Sequence, residues 1–367
     1  MHADAFRAGL GRTHANFLRA VLGLALGLLA LAQVGCGSVT SAGRRHYAEV
    51  DLVSDLPGRA ATFDANLVNP WGLVFGPAGE LRVANNGTAV STSYSAAGQV
   101  NGPVVTILPP SSSPTGVALN QTTGFPVGTG AAARPARLLF ATEEGTISAW
   151  NPGVNPSEAL VVADRSSAGT VYKGLAIGTG DAGSFLFATN FRIGVVDVFD
   201  SGFTFLRSFT DTSLPVGFAP FGITQIGGRL GVTFAKQDND RHDDVPGPGN
   251  GFVDVFDLNG NVVQRFASGG VLNSPWGVAL AGAGFGRFSG ALLVGNFGDG
   301  RIHAFDAGTG ALLGTLESAE GQPIVVDGLW TLAFGTGPAG AGANTLFFTA
   351  GINNETHGLL GTLGPAP

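Results

Sequence analysis

The sequence has little charge, almost no lysine and a single cysteine. Of its 367 residues only 12% are charged, the lysines are Lys173 and Lys236, and the cysteine is Cys36. A disordered chain would carry more charge and fewer apolar residues. A nucleic-acid-binding surface needs clustered positive charge, whereas the formal net charge here is −7. Both classes are therefore excluded, and the lone cysteine indicates a folded body that needs no disulfides.

Turn-forming residues are abundant instead. The chain contains 59 glycines and 20 prolines, and 44% of it is hydrophobic. A helix-rich enzyme would not tolerate so much glycine, and the glycines follow no strict three-residue period, which excludes collagen. The composition favours a large, mostly β globular protein.

The N-terminus is typical of an export signal. Arg7, Arg12 and Arg19 precede the apolar residues 21–34 (VLGLALGLLALAQV), and Cys36 follows. About 14 apolar residues are fewer than the roughly 20 needed to span a bilayer. Residues 32–36 (AQVGC) resemble the lipobox of bacterial lipoproteins, although Gln33 stands where that motif prefers an aliphatic residue.

We predict that residues 1–36 are a signal peptide of lipoprotein type, with Cys36 lipidated, and that residues 37–46 are a flexible tether. The protein would then lie in the cell envelope or periplasm and touch the membrane only through the lipid. An ordinary cleaved signal, with secretion, and a chance match to the lipobox stay open as alternatives.

The body consists of repeats. An anchor made of an aromatic residue or proline, a glycine and an aliphatic run recurs six times, at spacings of 44, 58, 48, 55 and 51 residues. The anchor glycines are Gly72, Gly116, Gly174, Gly222, Gly277 and Gly328. Periods of this length are the signature of propellers and other repeat folds.

Further apolar runs follow each anchor. The third run is identical in two repeats, at residues 196–200 and 253–257 (VDVFD), and a fourth lies behind a Gly, Asn or Asp turn. We predict an all-β protein: a single six-bladed β-propeller of four-stranded antiparallel blades over residues 47–364. The last repeat shows three strands, so residues 47–54 (YAEVDLVS) are predicted to close the ring as its missing outer strand.

Three motifs carry a resemblance to known families. They are residues 68–72 (VNPWG), residues 236–257, and residues 350–355 (AGINNE) with Gly358 and Leu359. Together with the repeats, they make residues 47–364 similar to NHL-type and gluconolactonase-type six-bladed propellers, and the chain resembles a family of exported bacterial propeller proteins. That family implies the fold but no agreed activity. The gluconolactonase likeness implies a metal held in the channel by Asn and carboxylate side chains.

Polar residues concentrate at one end of the predicted ring, because loops that enter first strands and leave second strands share a face. We predict a ligand-binding mouth there, lined by Asn69, Glu143, Lys173 and Asp327. Asn and carboxylate oxygens suit Ca²⁺ or another divalent cation. The predicted metal ligands are Asn190, Asp238, Asp240, Asn296, Asn353 and Glu355. The alternative is that these Asn and Asp residues only form turns.

The acidic loop at residues 236–251 (KQDNDRHDDVPGPGNG) stands out in a chain with so little charge. His242 could act as a general base, so His242 and Asp243 are the candidate catalytic residues. The spacing of the Asp residues is not that of an EF-hand, and a solvated surface loop is the alternative.

These features predict an exported binding or interaction module at the cell envelope, a monomer whose ligand is an unknown protein or small molecule. The alternative is a metal-dependent, Ca-type lactonase or esterase-like hydrolase acting at the channel mouth. A structural surface protein is a third possibility. The nucleophile elbow of covalent hydrolases and the phosphate loop of NTPases are missing from the sequence, and whether the protein is an enzyme stays open.

Overall fold

In the computed structural model, residues 45–335 and 342–366 are described, and nearly all of their regular structure is β-strand. The strands are β1 (Tyr47–Ser54), β2 (Thr62–Phe63), β3 (Pro70–Phe75), β4 (Leu81–Asn85), β5 (Val90–Tyr94), β6 (Val105–Ile107), β7 (Pro114–Leu119), β8 (Pro126–Val127), β9 (Arg134–Pro135), β10 (Leu138–Thr142), β11 (Thr146–Trp150), β12 (Glu158–Asp164), β13 (Tyr172–Gly180), β14 (Gly183–Asn190), β15 (Val195–Phe199), β16 (Phe205–Phe209), β17 (Phe218–Ile226), β18 (Arg229–Lys236), β19 (Gly251–Phe256), β20 (Val262–Ser268), β21 (Pro275–Leu280), β22 (Leu292–Asn296), β23 (Ile302–Phe305), β24 (Leu312–Thr315), β25 (Leu329–Phe334), β26 (Leu346–Ala350) and β27 (Leu359–Pro365).

The helical elements are short. Single 3-10 turns occupy Asn86–Thr88, Gly130–Ala132, Ser166–Ala168 and Gly286–Phe288, and one tight turn, α1, covers Ile352–Glu355, in which Asn353 and Asn354 have left-handed rather than α-helical backbone angles. Among the described residues, no helix has the length and apolar character needed to cross a membrane. The predicted all-β class is confirmed.

The strands form antiparallel meanders. Three sheets contain four consecutive strands each, β13 to β16, β17 to β20 and β21 to β24. An eight-stranded sheet has the order β3-β4-β5-β6-β12-β11-β10-β7, a five-stranded sheet the order β2-β1-β27-β26-β25, and β8 pairs with β9. The only parallel pairings in the described ranges are β1 with β2 and β6 with β12. The four-stranded antiparallel unit expected from the repeats is confirmed.

The first strands of successive meanders lie side by side in a circle. Strand β3 contacts β7, β7 contacts β13, and the series continues through β17, β21 and β25 back to β3. This closed arrangement is that of a β-propeller, with the first strands around a central channel. The channel holds an open space of about 800 Å³ lined by segments of these strands.

The anchor glycines allow these strands to approach each other. A Cβ atom at Gly72 would lie 2.7 Å from the carbonyl oxygen of Thr115, and one at Gly116 would lie 2.3 Å from the nitrogen of Leu175. Both distances are shorter than real Cβ contacts, so each position requires glycine. At Gly72 and Gly116, the anchor therefore marks points where neighbouring first strands pack backbone to backbone.

The N-terminal strand completes the last sheet, as the sequence predicts. Strand β1 pairs antiparallel with β27 over its whole length, from Tyr47 opposite Pro365 to Ser54 opposite Leu359. Tyr47 is 2% exposed, and its hydroxyl donates a hydrogen bond to the carbonyl of Phe285, 2.9 Å away in the connection between β21 and β22. Hence the two ends of the described chain are held in one sheet.

The core lies between adjacent sheets. One cluster joins Phe187 and Val198 of one meander to Leu230, Val232 and Phe234 of the next. The inner strands β14, β15 and β18 thus place apolar side chains against a neighbouring sheet, which explains the short apolar runs in the sequence.

Some features differ from a plain array of repeats. Strand β6 has three residues and pairs parallel with β12, which merges two meanders into one eight-stranded sheet. The long spacing between Gly116 and Gly174 accommodates the additional β8–β9 hairpin. Cys36, the predicted signal peptide and residues 37–44 of the tether lie outside the described residues.

Candidate functional site

The polar end of the ring is fixed by strand pairing. Pro70 at the start of β3 lies opposite Asn85 at the end of β4, so residues before first strands and after second strands meet at one end. We call this end the mouth. The mouth cluster comprises Asn69, Asn86, Glu143, Lys173, His242, Asp243 and Glu355.

An aromatic layer lies beneath the mouth cluster. The rings of Trp71 and Trp330 stack with centroids 3.5 Å apart, Phe297 stacks on Trp330 at 4.0 Å, and Trp276 meets Trp330 edge to face at 5.8 Å. The indole of Trp276 donates to the carbonyl of Lys173 at 3.0 Å. These aromatic rings pack on each other. The buried tryptophan rings form an apolar floor from which water is largely excluded, directly below the polar side chains of the mouth cluster.

Lys173 occupies the centre of the cluster. It is 1% exposed, and its Nζ donates hydrogen bonds to Glu143 and, at 3.0 Å, to Asp243 Oδ1. Nζ also lies 5.1 Å from the centre of the Trp71 ring. Burial opposes the charge, but the two carboxylates outweigh it and raise the pKa of Lys173 above its ordinary value. The lysine is therefore an ammonium ion near neutral pH.

A chain of hydrogen bonds links this ion to the other side of the mouth. Glu143 Oε2 accepts from Asn86 at 3.0 Å, and the Asn69 amide donates to Asn86 Oδ1 at 3.3 Å and to Glu355 Oε2 at 2.7 Å. Burial raises the pKa of Glu355, and the bond from Asn69 counteracts part of that effect. Side chains from separate sheets therefore form one connected network.

The backbone that carries Glu355 is unusual. Asn353, Asn354 and Glu355 adopt consecutive left-handed conformations, with φ of 57°, 54° and 62°. Asparagine visits this region more readily than most residues, and Glu355 does not share that tolerance. Such strain costs of order 1–3 kcal/mol at a non-glycine residue and is concentrated at functional sites. Here it places the Glu355 carboxylate against Asn69.

The acidic loop delivers His242 and Asp243 to the mouth. Asp238 shapes it, because its Oδ1 accepts from the backbone N–H of His242 at 2.9 Å and its own N–H donates to the Asp243 carbonyl at 2.8 Å. His242 Nδ1 lies 3.0 Å from Asp243 Oδ1. Burial alone would raise the pKa of Asp243, but Lys173 and His242 lower it overall. Burial raises the pKa of the adjacent Asp244 to about 6.

Three side chains could offer ligand atoms to a metal ion. One atom from each of Glu143, His242 and Asp243 lies within 4.8 Å of the others. The Lys173 ammonium, however, already binds Glu143 Oε1 and Asp243 Oδ1. Ca²⁺ takes six to eight oxygen ligands, so the set does not fit it while the ammonium is in place.

Other predicted residues lie apart from this set. The Asn190 amide donates to Thr170 and Asp197, and the Asn296 amide donates to the Val271 carbonyl and Asp299. Both asparagines are almost fully buried, at 2% and 0% exposure, so their amides serve the ends of their own strands. Their assignment as metal ligands stays a prediction.

The remaining predicted residues lie on the surface. The backbone N–H of Asn353 donates to Asp327 Oδ2 at 2.8 Å, and both residues are exposed, as is Asp240. Of the predicted mouth residues, Asn69, Glu143 and Lys173 come together in one network. The direct Glu143–Lys173–Asp243 contact was not predicted, and the rarity of lysine was the available signal for it.

No protein-family model matches the chain. Among solved structures, it is similar to a streptogramin B lyase, with a TM-score of 0.53 and 10% identity over 87% of this chain and 98% of that one. It is also similar to a gluconolactonase from Xanthomonas campestris, with a TM-score of 0.51 and 15% identity over 82% of this chain and 87% of that one. At these identities the likeness establishes the propeller fold alone, and the resemblance to propellers of this kind is confirmed.

Two relatives are closer in sequence, and both come from Acanthamoeba polyphaga mimivirus. The protein R648 is 36% identical over 85% of this chain and 78% of its own length, and L690 is 36% identical over 85% of this chain and 84% of its own length. Because these relatives are viral, the predicted bacterial origin of the family is not supported. The chain belongs to the family that contains these two mimivirus proteins.

Proposed function

We propose that the protein is a binding module whose mouth accepts a basic group of a small molecule or a protein. The carboxylates of Glu143, Asp243 and Glu355 arrive from separate sheets, and Lys173 is the one cation among the mouth-cluster contacts described. This excess of acid over base at the channel mouth is the observation that carries the proposal. A ligand ammonium or guanidinium would supply the missing positive charge.

The energetic cost of the cluster supports a functional role. Burying an ion pair seldom adds net stability, because desolvation offsets the attraction. Lys173 is nevertheless buried, and the backbone at Glu355 is strained. A site for ligand recognition accounts for both features, since recognition needs charges held in a fixed geometry.

The proposed scaffold is a ring of six blades. The eight-stranded sheet counts as two blades joined by the β6–β12 pairing, and the five-stranded sheet counts as one blade closed by β1 with β2 added outside it. The contact series of first strands through β3, β7, β13, β17, β21 and β25 supports this count.

The proposed location of the module rests on the sequence alone. We propose that the N-terminal segment directs export and that lipidation of Cys36 holds the propeller at the cell envelope as a monomer. The apolar residues 21–34 and the cysteine after Gly35 are the observations that support this.

Calorimetric titration with spermidine tests the binding function. We expect saturable heat at low salt, weakened about tenfold by Glu355→Gln or Asp243→Asn, because a charge-assisted hydrogen bond contributes about 1.5 kcal/mol or more. Asp306→Asn is the matched control, since Asp306 binds the turn at Thr309 in another loop. Equal losses in the control and the two mouth variants, or no heat with any of them, would contradict the proposal.

The second candidate function is a metal-dependent lactonase or esterase-like hydrolase. The arrangement of Glu143, His242 and Asp243 favours it, because these side chains lie close enough to share one Ca²⁺ or other divalent ion once Lys173 is displaced. Elemental analysis of the purified protein and a panel of lactones and esters test it. Stoichiometric metal with hydrolysis that His242→Gln abolishes would support the hydrolase, and metal-free protein without turnover would reject it.

A further inference from the structure

A second concave site lies at the end of the ring opposite the mouth. Phe75 pairs with Leu81 across the β3–β4 turn, and Leu119 pairs with Leu138 across the β7–β10 connection, far along the strands from Asn69. The cavity between these two connections has an open volume of about 870 Å³. Its lining includes Glu80, Arg82, Leu119, Asn120, Arg137 and Trp150.

Two guanidinium groups in this cavity lack acidic partners. None of the ion pairs in residues 45–335 and 342–366 involves Arg82 or Arg137. Arg82 is half-buried and lies over the Trp150 ring, 5.0 Å from its centre. A partly desolvated guanidinium without an anion is costly, so this site requires compensation.

Hydrogen-bonding capacity is also unused there. Arg82 Nη1 and Trp150 Nε1 are buried and have no hydrogen-bond partner, and Trp150 itself is 3% exposed. Buried donors are nearly always paired in folded proteins. Arg82 and Trp150 lie against each other, and both have an unpaired donor. This indicates that a ligand supplies the hydrogen-bond acceptor.

The charge balance at the site is positive. Glu80 is the acid in the cavity lining, and its carboxylate accepts from the backbone N–H of Ala78 at 3.1 Å. The pKa of Arg82 is lowered, chiefly by burial. The nearby carboxylate of Glu80 opposes this shift, and the positive charge of Arg137 adds to it. The two arginines are thus close enough to repel each other, which an anion between them would relieve.

We propose that the cavity defined by Arg82, Arg137 and Trp150 binds the oxyanion of a small organic acid, either a carboxylate or a phosphate. The guanidinium group presents several N–H donors in a planar fork that matches such oxyanions. The half-buried Leu119 supplies apolar surface for the carbon skeleton of the ligand. This site is separate from the mouth and does not depend on the function proposed there.

Calorimetric titrations of the folded protein with benzoate and with phenylphosphate test the proposal. We expect saturable binding of at least one probe at low salt, and the probe that binds distinguishes a carboxylate from a phosphate. Arg137→Gln should weaken it about tenfold, because a charge-assisted hydrogen bond is lost. Arg137 is exposed, so this variant is expected to fold.

Two further variants sharpen the result. Arg134→Gln is the matched control, because Arg134 is also exposed but donates to the carbonyls of Ala131 and Ala133 and is absent from the cavity lining. It should leave affinity unchanged, whereas Glu80→Gln should increase affinity by removing a negative charge. Absence of saturable binding by both probes, or equal losses in Arg137→Gln and Arg134→Gln, would overturn the proposal.

Discussion

Replacing Lys173 by methionine should destabilise the protein, because the buried ammonium neutralises a buried carboxylate. Glu143 has a side-chain exposure of 14%, whereas Asp243 is 65% exposed and can be rehydrated when the lysine is removed. Breaking a buried pair costs about 3–5 kcal/mol, and the exposure of Asp243 places the expected loss near the lower end. Methionine keeps the apolar stem against Trp71, so the loss reports mainly on charge.

The loss is measurable by thermal and urea unfolding. With about 2.1 cal/mol/K of unfolding entropy per residue, a loss of about 3 kcal/mol lowers the melting temperature of a domain of this size by roughly 5 °C. Lys236→Met is the matched control, since Lys236 is the other lysine of the chain and is exposed. Its effect should stay within about 0.5 kcal/mol.

A double variant separates charge from packing. Lys173→Met combined with Glu143→Gln removes both members of the pair, so it should be more stable than Lys173→Met alone by about 1 kcal/mol or more. The reasoning is refuted if Lys173→Met matches the Lys236→Met control, or if adding Glu143→Gln gives no recovery.

Three further predictions concern other parts of the chain. Burial raises the pKa of Asp244 from 3.8 to about 6, so folding favours the protonated carboxyl group. The stability that this group contributes is fully present below pH 3.8 and is lost as the pH rises through about 6. Asp244→Asn should therefore gain roughly 1–3 kcal/mol relative to the parent between about pH 4 and pH 7 in urea unfolding, and parallel pH curves would contradict this. Tyr47→Ala should cost about 3–5 kcal/mol, the loss for truncating a buried aromatic residue, and Tyr47→Phe about 1 kcal/mol for the hydroxyl bond to Phe285; equal melting temperatures for the two variants would argue against Tyr47 as a fastener of the ring. Cys36→Ala should move the protein from the membrane fraction to the soluble fraction on immunoblots, and an unchanged distribution would reject lipidation.

Much of the scaffold could be predicted from local pattern. Strand β1 was expected over residues 47–54 and observed over Tyr47–Ser54, because the last repeat has only three strands and this segment precedes the first anchor without a repeat of its own. The parallel β6–β12 pairing was not expected, since β6 has three residues and pairing between distant short strands leaves no periodic signal.

The candidate site was predictable in part. Loop position alone placed Asn69, Glu143 and Lys173 at one end of the ring, and the structure connects them. The same reasoning placed Asn190 and Asn296 there, but each of these two asparagines is buried at the end of its strand and pairs with its own blade. Loop position therefore identifies the end of the ring on which a residue lies, and the rotation of the strand decides whether its side chain faces the mouth.

By itself, the sequence determined the β architecture, the repeat and the closing strand, because these depend on local periodicity and on glycines that only close backbone packing requires. Tertiary structure decided which charges meet. Lys173 lies 30 positions from Glu143 and 70 from Asp243 in the chain, and the fold brings both carboxylates to Lys173, which lies against the aromatic layer. The scarcity of lysine, which first excluded nucleic-acid binding, acquires a structural meaning there: one of the two lysines is the buried counter-ion of the mouth.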